Sequence, residues 1–181
     1  MSGWDLWLPI LLTGIATHVI SAIAWMALPH HKPEWKKLPA EDEFQGWINE
    51  KQIAPDQYLF PFTQDSAEMN SEAFRQKQGK CRGILILWST PPNIGKSIGL
   101  TVAFFFVAAF VIGDLASRGV SRGATVLSVF QFVTTAGLLT HCAGQFPGVF
   151  WFRRRVAMDL LDGVAHAVAT GLIFAALWPA A

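Results

Sequence analysis

Four long apolar runs order this chain: Leu6–Leu28, Ser97–Leu115, Gly123–Phe146 and Val156–Trp178. Crossing a bilayer takes roughly 20 predominantly apolar residues of helix, so each run predicts a transmembrane helix. The pattern predicts an all-α membrane protein built as a four-transmembrane-helix bundle. Residues 1–28 supply the first helix, and residues 97–181 supply the other three (97–115, 123–146, 156–178). The polar linker 29–96 between them predicts a small cap, α+β or helical. Tryptophan favours the membrane interface, and Trp4, Trp7 and Trp25 mark the two ends of the first span.

Within the linker, Leu38–Glu43 reads as a helix start. Proline sits early, and Glu41, Asp42 and Glu43 fall where the helix dipole favours acids. Phe44, Trp47 and Ile48 form its apolar face. Tyr58–Phe62 is a short extended run. Ser66–Gln78 predicts a polar helix capped by Asp65 or Ser66 and stopped by Gly79. Gly83–Trp88 predicts a strand or an interfacial segment, far too short to span. Such a cap is expected to pack on the mouth of the bundle. Later in the chain, Ala116–Arg122 predicts a turn, and Pro147-Gly148 predicts the end of the third span. Gly95 and Gly99 make a GxxxG that predicts a close crossing where the second span begins.

Charge adds an orientation. Only 15% of residues are charged, against about 25% in soluble domains, and every Lys and Arg lies outside the apolar runs. Nine of the 14 fall in the linker, and Arg153, Arg154 and Arg155 precede the fourth span. The opposite side carries only Arg118 and Arg122. Basic residues collect on the cytoplasmic side, which places the linker in the cytoplasm and both termini outside. A net charge of +1 with no basic stripe argues against nucleic acid as a partner. Cys81 and Cys142 make no disulfide framework. The N-terminal run lacks the basic flank of a signal peptide, so it is expected to remain as a transmembrane segment.

Ionisable groups inside a span are costly unless shielded or paired, and they mark interior positions. The fourth span carries Asp159, Asp162 and His166. In the third, Gln131, Thr134, Leu138, His141 and Gln145 recur at helical spacing, and in the first Gly14, His18, Ser21 and Trp25 share a face. Counted from the cytoplasmic ends, His18 and His166 lie about 15 Å deep, and Asp162 and His141 about 8–9 Å. Those matched depths make His18, His141, Asp162 and His166 candidates for one ligand, ion or proton pocket in the cytoplasmic half. Asp162, four residues before His166, can also orient its imidazole.

The competing reading is packing. The histidines would bond Ser21, Thr134, Thr170 or backbone carbonyls, and the aspartates would pair with the arginines. On that reading Asp159, Gln131, Thr134, Gln145, Arg153, Arg154 and Arg155 are interface or structural residues. No cofactor is predicted outright. Equal-depth histidines admit axial ligation of haem, although no CxxCH attachment occurs, and a histidine at a carboxylate suits zinc or iron. His30-His31 near Glu34 give a weaker metal signal at the surface. Asn93–Ser97 ends like a phosphate-binding loop, but Thr90 stands where a glycine is required and Pro91-Pro92 remove donors. No H-E-x-x-H occurs, and the serines in the spans have no acid–histidine relay at recognisable spacing, so nothing here argues for an enzyme.

The segments PHHKPEWKKLPAEDE at Pro29–Glu43, PPNIGKSIG at Pro91–Gly99, DLLDG at Asp159–Gly163 and LWP at Leu177–Pro179 carry a resemblance. The chain resembles a group of small, functionally uncharacterised bacterial four-span inner-membrane proteins over nearly all its length. The resemblance implies a bacterial inner-membrane location and no particular activity. It also implies that tyrosine often stands at the position of His166, which favours Asp159, Asp162 and PPNIGKS over a strict two-histidine site. The first expectation for function is a structural or accessory subunit, in contact with membrane lipids, whose aromatic cap meets another membrane or cytoplasmic protein.

Overall fold

A computed structural model describes residues 3–152 and 154–181; the expectation for Arg153 falls outside the described residues. In chain order the elements are α1 (Trp7–Ala27), α2 (Glu41–Glu50), β1 (Gln57–Phe60), α3 (Ser66–Met69), α4 (Glu72–Lys80), β2 (Gly83–Ile86), α5 (Ile94–Gly119), α6 (Val126–Phe152) and α7 (Ala157–Ala176). They form two compact units. One joins the chain up to Lys36 with Ile94–Ala181, and the other is Lys37–Asn93.

The first unit is a bundle of α1, α5, α6 and α7, each long and apolar enough to cross a membrane. Large apolar side chains such as Val107, Phe110 and Leu161 point outward, as expected where lipid rather than water is the surrounding medium. The inner faces are built from smaller groups. A Cβ added to Gly163 would stand 2.7 Å from Cys142 Sγ and 2.9 Å from the His141 carbonyl oxygen, and one added to Gly171 would strike Thr134 Oγ1. These two glycines let α7 lie close against α6, the small-residue packing that drives helix association in membranes. The GxxxG at Gly95 and Gly99 does not do so, because a Cβ on Gly99 would meet nothing within 4 Å.

Helix ends differ from expectation in instructive ways. Pro147-Gly148 do not end α6. The helix loosens into a π turn at Leu139–Ala143 and restarts at Gln145, so Pro147 falls in a first turn where no backbone donor is required. A second π turn, Ile23–Ala27, closes α1, with Leu28 N donating to Ile23 O at 3.0 Å. At the opposite end of the bundle lies the apolar core of Leu6, Ile112, Ala116, Val129, Val133, Phe174 and Ala175. That end is tied by Arg122 to Asp5 at 3.2 Å and by Trp178 Nε1 to the Ser121 carbonyl at 2.9 Å.

The second unit is an α+β cap. β1 and β2 pair antiparallel with Gln57 opposite Ile86 and Phe60 opposite Gly83. Glu41, Asp42 and Glu43 open α2. The single helix expected over Ser66–Gln78 is two. Asp65 caps α3 by accepting from Ala67 N at 2.8 Å, and Ser71, in extended conformation, caps α4 by accepting from Phe74 N at 3.1 Å. A second good cap in mid-sequence divides the helix, and α4 then runs past Gly79 to Lys80.

Candidate metal centre and the adjoining cleft

The turn that leaves α1 builds the most polar constellation in the bundle. Pro29 O accepts from Lys32 N at 3.0 Å and His31 O accepts from Glu34 N at 3.0 Å. These two tight turns put His30, His31 and Glu34 on consecutive bends. Arg155 donates to the Pro33 carbonyl and fastens the turn to the chain just before α7. Asp162, in the second turn of α7, meets both histidines: His30 Nε2 donates to Oδ1 at 3.0 Å and His31 Nε2 donates to Oδ2 at 2.9 Å. The other His31 nitrogen, Nδ1, donates to Glu34 Oε2 at 2.9 Å. Trp25, carried by the π turn of α1, stacks on the His31 ring at 4.0 Å between centroids with 9° between planes.

His31 is buried, and both its nitrogens face carboxylates, which accept only. The burial lowers its pKa, but the hydrogen bonds to Asp162 and Glu34 reverse that and raise it above the ordinary histidine value. Without a metal, His31 is therefore favoured as the imidazolium.

The same atoms suit a cation. One ligand atom from each of His30, His31 and Asp162 lies within 4.8 Å of the others, and so does one from each of His31, Glu34 and Asp159. Ligands about 2.1 Å from a first-row metal stand about 3.0–3.4 Å apart, so the first set closes on an ion by drawing in to that spacing. Two histidines and one carboxylate with positions left open match zinc and non-haem iron(II). With His31 Nε2 on the ion, Glu34 on Nδ1 supplies the carboxylate–histidine contact that fixes a ligand's tautomer and orientation. Asp159 stands by as a further oxygen donor.

A cleft of about 200 Å³ adjoins this centre, and Asp159, Asp162, Gln145, His141 and His166 line it with Trp25, Phe104 and Phe105. Three of the four pocket candidates thus share one space. The fourth, His18, is not in the lining. Its ring lies 6.4 Å from Phe105, whose ring is also 6.1 Å from His141 and 5.1 Å from His166. Phe105 therefore sits among the three histidines, a placement that the even apolarity of VAFFFVAAFVI hides. The Asp162 carboxylate, which the sequence spacing offered to His166, is occupied by His30 and His31.

Among the packing candidates, Asp159 and Gln145 belong to this cleft. Gln131 is exposed, in a groove with Ser128 and Thr135 on the flank of α6. Thr134 Oγ1, His18 Nδ1 and His166 Nε2 are buried with no hydrogen-bond partner among the described residues. Thr170 donates to the His166 carbonyl, not to its ring. Arg155 serves the Pro33 turn, and Arg154 is exposed.

Fold and site together define a multi-pass membrane protein with a cluster of histidines and carboxylates able to coordinate a metal ion. No protein-family model matches the chain, and no curated protein or solved structure matches it.

Proposed function

We propose that this protein binds a divalent transition-metal ion, of the zinc or iron(II) class, through His30, His31 and Asp162. The observation that carries the reading is the convergence of both adjacent histidines on one α7 carboxylate, with Glu34 behind His31. Binding exchanges the shared protons of those hydrogen bonds for the ion, and it locks the turn after α1 onto α7. The role is that of a metal-responsive accessory protein of a bacterial inner membrane. On the positive-inside rule the site faces the cytoplasm and both termini the periplasm; a cysteine at position 51 that is labelled from outside intact cells reverses this orientation.

The test is a metal titration of chelator-stripped protein in detergent. One Zn²⁺ per chain is expected, with d–d absorption when Co²⁺ replaces it and a melting point that rises with free metal. The double variant His30→Ala/His31→Ala loses all three signals. Native protein that holds neither Zn²⁺, Co²⁺ nor Fe²⁺ stoichiometrically sinks the proposal.

A further inference from the structure

We infer that the cleft beside the metal centre binds the head group of a lipid-soluble quinone. This goes beyond the metal reading and does not depend on it. His166 is only 7% exposed, and its Nε2 has no hydrogen-bond partner among the described residues. Buried polar groups are almost always paired, so an occupant that supplies the partner completes the site. The His141 ring stands 5.4 Å from that of His166, at 61°. Phe104 and Phe105 lie against these rings, with centroids 6.2 Å and 5.1 Å from His141 and His166 respectively. Apolar walls with a few convergent polar groups are the usual make-up of a small-molecule site.

Three further observations select the class. Phe104 and Thr140, both in the lining, are exposed on the flank of helices that span the membrane. The occupant therefore arrives through lipid. Asp159 and Asp162 also line the cleft, and their charge opposes fatty acids and phosphate head groups. An acyl chain or a hydrocarbon ring leaves His166 unpaired. What remains is a neutral, lipid-soluble ring that bears hydrogen-bond acceptors, and about 200 Å³ suits the ring of a quinone. One carbonyl oxygen accepts from His166 Nε2–H, and the second accepts from an uncharged donor of the lining, His141, Gln145 or Trp25. Thr140 is not such a donor, since its hydroxyl already donates to the Ala136 carbonyl at 2.8 Å.

The experiment uses the full chain in lipid nanodiscs with decylubiquinone as probe, and reads the quinone retained per protein above that in empty nanodiscs. Saturable retention near one per chain is expected. His166→Leu weakens it about tenfold, the loss of one buried hydrogen bond. Thr140→Phe, at an exposed position, blocks the opening and weakens it comparably; if His166→Leu fails to fold, this variant decides alone. Protein stripped of metal by chelator retains the quinone as well as Zn²⁺-loaded protein does, so the two readings fail separately. No retention above empty nanodiscs, or unchanged retention in both cleft variants, overturns the assignment.

Discussion

The two ends of the bundle are made of opposite materials. At the end that holds Leu6, Ile112, Val129, Val133 and Phe174, each of these side chains is at most 1% exposed, and the packing is wholly apolar. At the other end, the same helices surround His30, His31, Asp162, His141 and His166. Helices already in lipid gain little from burying more hydrocarbon, so the dry end holds through close packing. The polar end cannot be explained that way. Its side chains converge on shared atoms, and His166 Nε2 has no hydrogen-bond partner among the described residues. A structure that merely needed to cohere would have no use for that arrangement, so binding is the natural reading of the polar end and stability of the dry one.

Substitutions that separate affinity from stability can break this contrast. Asp162→Asn keeps much of the hydrogen bonding but removes the anionic ligand. Altered outer-shell partners already cost 10–100-fold in metal affinity, so loss of this ligand costs about a hundredfold or more, with the melting point of the metal-free protein little changed. Asp162→Leu also leaves His30 Nε2 and His31 Nε2 without their acceptor and lowers metal-free stability by about 1–3 kcal/mol. Phe174→Ala has the opposite profile. It opens a cavity at the dry end for about 2–3 kcal/mol, because in lipid the cavity and packing terms dominate over transfer, while Zn²⁺ affinity at the far end stays put. Parallel thermal melts and Zn²⁺ titrations of the three variants measure both quantities. If Phe174→Ala weakens metal binding as much as Asp162→Asn does, the two ends are not separate in function.

The dry end was the more legible in the sequence. Hydropathy alone marks α1, α5, α6 and α7, because about 20 apolar residues in a row leave few other structures open. Depth arithmetic from the ends of the spans pairs Asp162 with His141 at about 8–9 Å and His166 with His18 at about 15 Å; the structure gives His141, Asp162 and His166 a common cleft and leaves His18 out of its lining. The metal centre was harder to see. His30 and His31 lie just beyond the last apolar residue of α1, where periodicity has no more to say, and their meeting with Asp162 depends on two tight turns and on helix register. Both π turns were invisible as well. They carry Trp25 and His141, and the π turns of helices often mark functional positions. The one available signal was compositional: two adjacent histidines, an acid three residues on, and two acids in the opening turns of α7.

The smallest effect is one of pH, and it distinguishes the two states of the polar end. The His31 pKa is raised in the metal-free fold by carboxylate partners that overcome the lowering effect of burial. A raised histidine pKa contributes stability that is fully present below the unfolded value of about 6.5 and is lost as pH climbs through the folded value. Protein kept metal-free by chelator should therefore melt at progressively lower temperature as pH rises through and above that value. Glu34→Gln, which removes the negative charge of one acceptor of the cationic ring, should shrink this dependence. Metal binding should follow the opposite slope, since the ion competes with protons for His31 Nε2 and gains as they leave. Melting curves in chelator and Zn²⁺ affinities, measured over the same pH series, give the two slopes. A metal-free melting point that stays level or rises through that range would show that His31 is not held as the cation, and an affinity indifferent to pH would show that it does not meet the metal.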